Sequence, residues 1–398
     1  LLGCALMLSL SCGREPFGTL YASECAVCHG EDLRGTPTLG PALIGADLVH
    51  GDSVAELSAS IAAGFPEAGM PGWAASLTST QIQGLAIYLA EERASSSFLD
   101  FRMATPLVVP SGVQRTQHHA FVFEEVVGGL DPLPYGIAPL PDGRILLTER
   151  QRGLKVVSAD GEVSGIVSGA PVGHDDGIRL GALTYSTGNV LDVAIGPSYA
   201  EDGWIYLSFG DRCPDCDGFR PRSMLKVVRA RLREGRWVDE QTLWEVDEQL
   251  YTTDPDMSVG GRLAFDGAGH VFVSLGMKDR YRGVQSLGSP LGKVHRFHED
   301  GRVPDDNPFA SDESAFPTVY TMGHRSPHGL EFDPVTGRLW ETEMGPRGGD
   351  EVNLLEPGRN YGWPLTSKGV HYDGRPVDGA GIDVTVDRAT LAEPVVDF

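Results

Sequence analysis

The chain has 398 residues, enough for more than one domain, and its 55 acidic residues outnumber its 32 basic residues. The resulting net charge of −23 disfavours nucleic acid and anionic membrane surfaces as partners. Outside the N-terminus, no stretch approaches the roughly twenty apolar residues of a transmembrane helix, so membrane attachment would require a short anchor.

The N-terminal segment, residues 1–12, is the uncharged apolar run "LLGCALMLSLSC". It is typical of the later part of an export signal, and it lacks an initiating Met and a basic start, so the sequence is expected to begin inside its signal. Cys12 follows "LSLS" and resembles the lipid-acceptor Cys of bacterial lipoproteins, although Ser9 and Leu10 stand in the reverse of the usual order. Lipidation of Cys12, cleavage nearby and a retained anchor all stay open.

The next feature, "CAVCHG" at residues 25–30, has the spacing of covalent c-type haem attachment. Cys25 and Cys28 lie one helical turn apart and can both form thioethers to one porphyrin, which places His29 beneath the ring as an axial ligand. The alternatives are a disulfide hairpin or half of a zinc site, but zinc needs two further ligands at similar spacing and none lies nearby. Covalent haem predicts a bacterial protein of the periplasm or the outer surface.

A second axial ligand is expected on a loop some tens of residues later. Met70 lies in the Gly/Pro-rich stretch "PEAGMPGW", where a helical core residue would be out of place. Met/His ligation raises the reduction potential of haem and suits electron transfer. His50 is the rival sixth ligand, and Pro41 is well placed to accept a hydrogen bond from the axial imidazole of His29.

A helix is predicted after Met70, in "LTSTQIQGLAIYLAEE", where apolar residues recur at 82, 85, 86 and 89. Thr78 or Ser79 is its candidate N-cap. Together these features resemble the small, all-α, single-haem c-type cytochromes over residues 13–95. That section contains ten acidic residues, three Arg and no Lys, so an electron acceptor that docks on it is expected to be basic.

Residues 96–119 contain serines, prolines and no sustained periodicity, which predicts a linker. Beyond it, residues 120–398 repeat themselves loosely. Each repeat combines an apolar strand, a turn rich in Pro, Asp and Gly, and an alternating strand, in segments 136–149, 192–209, 262–276 and 329–343. Such self-similarity without long helices predicts an all-β propeller. The chain ends in the strand-like "LAEPVVDF", so we expect it to stop before the last blades.

The remaining cysteine pair lies in "DRCPDCDG". Cys213 and Cys216 are followed by Asp rather than His, so they do not form a second haem site. In an oxidising compartment a small loop disulfide is predicted, with a redox-active pair as the alternative.

Four longer stretches carry a resemblance to a known family: "LPDGRILLTERQRGLKVV", "LGKVHRFHEDGRVPDDNPF", "YTMGHRSPHGLEFDP" and "EMGPRGGDEVNLLEPGRNYGWP". They resemble the soluble aldose sugar dehydrogenases, also called glucose/sorbosone dehydrogenases. The resemblance implies a six-bladed propeller with pyrroloquinoline quinone and calcium, in which an aldose transfers a hydride from its anomeric carbon to the quinone while a His removes the hydroxyl proton. The haem, held at high effective concentration by the linker, would then be the first electron acceptor.

The resemblance assigns cofactor and metal positions residue by residue. Arg325, in "GHRSPHG", matches the Arg that pairs with the quinone, a planar recognition that suits a guanidinium. Gly345 and Pro346 match the backbone carbonyls that bind the catalytic calcium. Glu351 and Tyr361 match positions tied to a second, structural calcium.

The chain departs from the family pattern around the expected mouth of the propeller. Ser258 stands at the position of the catalytic His, and a serine hydroxyl is not a useful proton acceptor without its own base. Ser326 replaces an Asn, and Thr187 falls near a quinone-contacting Gln. Met277 stands at an Asp.

The missing base therefore has to come from elsewhere, and the candidates are His328, His324, Asp254 and Asp256. Three functions follow. The first is an exported quinoprotein that oxidises an aldose or a related alcohol and passes electrons to its own haem. The alternative is a cytochrome c electron carrier whose propeller is catalytically silent and serves binding or docking. Oxidation of a different substrate with a different cofactor is a third reading.

Overall fold

A computed structural model describes residues 16–36, 39–46, 48–104, 109–130, 133–180, 183–213, 216, 221–278, 280–371, 376–379, 382 and 386–397. Cys12 and the rest of the signal-like segment lie outside these residues. Along the chain, the boundary between two compact units falls between Val122 and Phe123. Within the described residues no helix combines the length and the apolar character needed to cross a bilayer.

The N-terminal unit is helical, as the cytochrome-like pattern predicts. Its elements are α1 Pro16–Glu24, α2 Ala26–His29, α3 Val54–Ala63, a 3-10 turn Pro66–Ala68, α4 Ser79–Ala104 and a small hairpin of β1 Gln114–Arg115 and β2 Ala120–Phe121. A Cβ added to Gly84 of α4 would lie 2.1 Å from the ring of Phe17 in α1. The two helices approach closely there because position 84 has no side chain.

Helix α4 begins at a capping box. The Thr78 hydroxyl accepts from the backbone N–H of Gln81 at 3.3 Å, and the Gln81 side chain accepts from the N–H of Thr78 at 2.9 Å. The predicted apolar positions are all buried, namely Ile82, Leu85, Ala86 and Leu89. The helix continues to Ala104, past the predicted start of the linker at residue 96, because no proline interrupts it before Pro106.

The second unit consists of antiparallel sheets in which each strand pairs with its neighbour in sequence, the arrangement of propeller blades. The first sheet contains β3 Pro134–Pro139, β4 Ile145–Glu149 and β5 Gly153–Val157; it is followed by a hairpin of β6 Ile178–Leu180 and β7 Leu183–Tyr185, and then by the second sheet, with β8 Val190–Ile195, β9 Ile205–Cys213, β10 Arg222–Arg233 and β11 Arg236–Trp244 and the short helix α5 Tyr199–Asp202 between β8 and β9. The third sheet contains β12 Gly260–Phe265, β13 His270–Leu275, β14 Lys293–His298 and β15 Val319–Met322, and the fourth contains β16 Pro327–Phe332, β17 Leu339–Glu343, β18 Glu351–Leu355 and β19 Val396–Asp397. Short 3-10 turns lie at Glu248–Leu250, Tyr281–Gly283 and Arg388–Thr390.

The four sequence repeats coincide with the first two strands of the four sheets. This confirms the predicted order of a small all-α domain followed by an all-β propeller. The predicted disulfide between Cys213 and Cys216 is also confirmed, at the end of β9.

The first strand of every sheet has an irregular register with its partner at the same place. The shifts lie between residues 134 and 137, 190 and 193, 260 and 263, and 327 and 329. Bulges of this kind re-aim the side chains within them. The four intervals contain Tyr135, Asp192, Arg262 and His328, one from each sheet.

The Arg262 guanidinium joins these four strands. Its Nη1 donates to Asp192 Oδ1 at 3.1 Å and to the carbonyl of Tyr135 at 3.2 Å, and its Nε donates to the carbonyl of His328 at 2.8 Å. The second oxygen of Asp192 accepts from the backbone N–H of Leu263 at 3.0 Å. A single side chain of the third sheet thus bonds to the first strands of the other three.

We predict that Arg262→Met lowers the free energy of unfolding of the propeller by about 3 kcal/mol or more, because it leaves the Asp192 carboxylate buried without its cation. The measurement is urea unfolding followed by tryptophan fluorescence. Arg302→Met is the control, since Arg302 is 75 % exposed beside Asp300 and such pairs contribute at most about 1 kcal/mol. Equal effects of the two substitutions would contradict the central role of Arg262.

Candidate functional site

The predicted haem ligands lie on the helical stretch of α1 and α2. Cys25 and Cys28 are both free thiols and half-buried. The ring Nδ1–H of His29 donates to the carbonyl of Pro41 at 2.9 Å, the bond expected from the sequence. This bond leaves Nε2 available to iron. Two unpaired thiols and one oriented imidazole are the donor set that covalent haem requires.

Both candidate sixth ligands lie against Phe65. The backbones of Met70 and Phe65 exchange two hydrogen bonds, of 2.9 and 3.1 Å, after a turn in which Gly69 adopts a left-handed φ of 85°. The ring of His50 stacks on the Phe65 ring with centroids 4.3 Å apart. The hairpin fixes the backbone of Met70, whereas His50 is exposed and its ring stacks on Phe65.

A cleft at the fourth sheet brings together four residues that the family motifs had assigned. It is small, with an internal volume of about 10 Å³, and its lining includes Arg325, Gly345, Glu351 and Tyr361. Arg325 Nη1 donates to the carbonyl of Met344 at 2.9 Å, and the guanidinium lies over the Trp363 ring, 5.3 Å from its centroid. The guanidinium that was predicted to meet the quinone therefore lies at this cleft.

The acidic side of this cleft offers oxygen ligands. Burial, and then the neighbouring Glu343, raise the pKa of Glu351 to about 7, and the opposing effects of Asn353 and Lys368 are smaller. The Tyr361 hydroxyl donates to the carbonyl of Leu354 at 2.6 Å. The atom of Tyr361 that we expect to bind a metal is therefore its backbone carbonyl oxygen. Gly345 lines the cleft and Pro346 follows it in the chain. Carboxylate and carbonyl oxygens fit calcium.

Of the four candidate bases, His328 is half-buried and hydrogen-bonded on both ring nitrogens. Its Nδ1 lies 3.1 Å from the Tyr135 hydroxyl and its Nε2 lies 3.0 Å from Ser326 Oγ. Burial, and then Arg150 and two further arginines, lower the pKa of His328 to about 4. The imidazole is therefore neutral at pH 7 and can accept a proton.

The other three candidate bases form hydrogen bonds or ion pairs with other residues of the protein. Asp256 is fully buried, forms an ion pair with Lys278 and accepts from the backbone N–H of Asn189 at 2.9 Å. His324 is also fully buried, as described below, and Asp254 pairs with the side chain of Arg280. These contacts argue against Asp256 and His324 as bases that meet a substrate.

Ser258 is buried, and its hydroxyl has no hydrogen-bond partner among the described residues. A Cβ on Gly276 would lie 1.9 Å from the Ser258 carbonyl oxygen and 2.8 Å from that of Arg325, so Ser258 and Arg325 flank the same glycine. Thr187 is held by Asp176, whose Oδ2 accepts from the Thr187 backbone and hydroxyl at 2.8 and 3.1 Å.

Sequence reasoning missed Tyr135, Arg150 and Lys278. Arg150 directly follows β4 and donates to the carbonyl of Asp256, and Lys278 lies three residues beyond the end of β13, at Leu275. Both lie shortly after the second strand of a sheet. That shared position, immediately beyond a repeat, was the signal in the sequence.

Residues 132–396 match the family described as "Glucose / Sorbosone dehydrogenase", and residues 16–89 match "Cytochrome C oxidase, cbb3-type, subunit III". An aldose sugar dehydrogenase of Escherichia coli is 33% identical over 244 residues, covering 61% of this chain and 61% of that protein. Quinoprotein glucose dehydrogenase B of Acinetobacter calcoaceticus is 27% identical over 278 residues, covering 65% and 55%.

Among solved structures, the apo form of the soluble aldose sugar dehydrogenase from Escherichia coli aligns with a TM-score of 0.55 at 30% identity. The alignment covers 67% of this chain and 72% of that one. The chain spans less than two thirds of the length of the curated relatives named above.

For the haem end, we predict that Met70→Ala converts a low-spin haem spectrum to a high-spin one and lowers the reduction potential, because Met ligation raises it. The whole chain would be expressed in a host that attaches c-type haem, and its absorption spectrum and potential recorded. His50→Ala is the matched control and should leave both unchanged. The reverse pattern would assign the sixth position to His50.

For the propeller, we predict that His328 makes stability sensitive to acid. Its folded pKa of about 4 lies below the ordinary 6.5, so its contribution is fully present above about pH 6.5 and is lost as the pH falls through 4. The difference in unfolding free energy between wild type and His328→Gln should therefore shrink from pH 7 to pH 4. A difference that is constant over this range would show that His328 is not buried in its neutral form.

Proposed function

The chain belongs to the glucose/sorbosone dehydrogenase family and carries a cytochrome c domain ahead of the propeller, and from this premise we propose that it is an exported quinoprotein dehydrogenase. It oxidises the anomeric carbon of an aldose, or a related alcohol, with pyrroloquinoline quinone and calcium, and passes the electrons one at a time to its own haem. Relatives named as an aldose sugar dehydrogenase and a quinoprotein glucose dehydrogenase support this proposal. The observation that carries it is the cleft in which Arg325, Gly345, Glu351 and Tyr361 meet.

Pyrroloquinoline quinone would supply the hydride acceptor, and calcium would act as a Lewis acid on its carbonyl. Arg325 would hold the quinone, because its guanidinium is oriented by the Met344 carbonyl and can form paired hydrogen bonds with carboxylate oxygens. The carbonyls of Gly345 and Pro346 would bind the catalytic calcium. Glu351 and the carbonyl of Tyr361 would bind the structural one.

His328 is the base that we propose for the substrate hydroxyl. Its Nε2 shares a hydrogen with Ser326 Oγ, one residue from Arg325, and the ring is uncharged at neutral pH. Burial, and then the nearby arginines, lower the pKa of His328 and so make it a weak base, and we expect slow proton transfer.

At the other end of the chain, Cys25, Cys28, His29 and Met70 would hold the haem. Met/His ligation raises the reduction potential of the haem, which favours its acceptance of electrons. The ten acidic residues and absence of Lys in residues 13–95 suit a downstream acceptor with a basic docking surface. Export to the periplasm or outer surface, with a lipid on Cys12 as the membrane attachment, completes the proposal.

We predict that the complete protein, loaded with pyrroloquinoline quinone and calcium, slowly reduces its own haem when aldoses are added. Ser258→His should accelerate this reduction, because a well-placed general base contributes about 10²–10⁴-fold. His328→Gln should slow it by more than about 10-fold on the same ground. The assay is the growth of the reduced-haem absorption band with a panel of sugars and alcohols.

The same assay separates the proposal from a silent propeller. If the protein binds no quinone and neither the wild type nor Ser258→His reduces haem with any compound of the panel, the propeller is a binding or docking module. The matched variant Ser286→His, in the loop after β13 and outside the cleft lining, should not change the rate.

A further inference from the structure

Behind the cleft, the fourth sheet encloses a group of metal-type side chains that the proposed quinone and calcium sites do not use. Glu341 and Glu343 lie two residues apart on β17 and therefore project from the same face of the sheet. Asn353 on β18 is the ladder partner of Glu341. Glu341, Asn353 and His324 are all completely buried.

The imidazole of His324 lies close to both carboxylates. Its Nδ1 is 3.4 Å from Glu343 Oε1 and 4.0 Å from Glu341 Oε2, and one ligand atom from each of the three residues lies within 4.8 Å of the others. In a tetrahedral zinc site with bonds of about 2.1 Å, ligand atoms are about 3.4 Å apart. A small contraction of this group would give that geometry.

The other side of the His324 ring is held in place. Its Nε2 lies 2.9 Å from the Thr321 hydroxyl, and the ring stacks on that of Tyr361 with centroids 4.9 Å apart. When Nε2–H donates to Thr321, Nδ1 presents its lone pair to the two carboxylates. An imidazole fixed on one nitrogen by a polar partner is typical of metal-ligating histidines.

The group also contains buried polar atoms that protein donors leave unsatisfied. The Asn353 amide nitrogen lies 3.0 Å from Glu341, 3.3 Å from Glu343 and 3.4 Å from Glu351, yet an amide has only two N–H bonds to donate. Glu341 Oε1 and Asn353 Oδ1 are enclosed and have no hydrogen-bond partner among the described residues. Such unsatisfied atoms are rare in folded proteins and indicate an absent ion or water.

We propose that Glu341, Glu343 and His324 bind one divalent cation of the zinc class, with Asn353 as a fourth ligand after rotation of its amide to bring Oδ1 inward. An imidazole nitrogen in the ligand set favours a first-row metal over calcium, which takes oxygen ligands. Glu343 lines the cleft, which gives the ion a path from solvent.

The bound ion would stiffen the turn that presents Arg325. The second oxygen of Glu343 accepts from the backbone N–H groups of Arg325 and Ser326, at 2.5 and 3.3 Å. A metal on Oε1 would therefore fix this carboxylate, and with it the start of the fourth sheet. The site does not depend on quinone binding, so it stands or falls separately from the proposed function.

The test is a zinc chloride titration of the full chain after removal of metals with a chelator. Calorimetry, metal content per chain and the melting curve are the readouts. We expect one zinc ion per chain and a higher melting temperature, since a ligand that binds only the folded state stabilises it. Glu341→Gln should weaken zinc binding by about 100-fold or more, because even loss of a ligand's outer partner costs about 10–100-fold.

The zinc-free melting curve of Glu341→Gln serves as the folding control, since the neutral amide removes a buried charge and should leave the propeller folded. His270→Gln is the matched control for a half-buried histidine outside the site, because His270 bonds to Asp266 and its ring lies beside that of His298; it should bind zinc like the wild type. Equal zinc binding by wild type and Glu341→Gln, or none by the wild type, overturns the proposal.

X-ray absorption of the zinc-loaded wild type provides a measurement that needs no variant. We expect a shell of nitrogen and oxygen ligands near about 2.0 Å. The other cluster of metal-type residues among the described ones, Cys213, Cys216 and Glu248, has its sulfurs in a disulfide. Sulfur in the zinc shell would place the ion at cysteines, either this pair or the free thiols of Cys25 and Cys28, and would reject the site at Glu341.

Discussion

The arrangement of the propeller depends on one guanidinium, that of Arg262, at the point where the first strands of four sheets meet. Arg262 neutralises Asp192 and satisfies backbone carbonyls of Tyr135 and His328. Each of these residues lies at an irregularity in the strand ladder of its own sheet. Because a buried charge without its partner is costly, the four strands are held in the one arrangement that keeps Arg262 and Asp192 paired.

This constraint also sets the electrostatics of the candidate site. The backbone of His328 is held by Arg262, while its ring turns toward Tyr135 and Ser326 in a region where arginines lower its pKa. The fourth sheet has the opposite character, because burial and Glu343 raise the pKa of Glu351. Arg325 stands between these two regions, its backbone bound to Glu343 and its side chain in the cleft. An anionic cofactor bound by Arg325, with a metal cation bound by Glu351, would match this division of charge.

The resemblance to the family implies departures at Ser258, Ser326, Thr187 and Met277. Ser258 keeps its place beside Gly276 and Arg325, but its hydroxyl has no partner there. Asp256 has been drawn into an internal ion pair with Lys278. Under the proposed function, Arg325 would hold the cofactor and proton transfer would fall to His328, a weak base.

The sequence by itself determined the features that depend on neighbours along the chain. The "CAVCHG" motif, the cap of α4 at Thr78, the disulfide of Cys213 and the strand repeats all rest on spacings of a few residues, where local geometry leaves little choice. Only the tertiary structure decided which polar residues become buried and paired. The contacts of Arg262 with Asp192 and of His324 with Glu343 join residues that are distant in sequence, and no periodicity encodes them. From the sequence Asp256 was a candidate base and Glu341 attracted no assignment, whereas the packing of the sheets removes both from water.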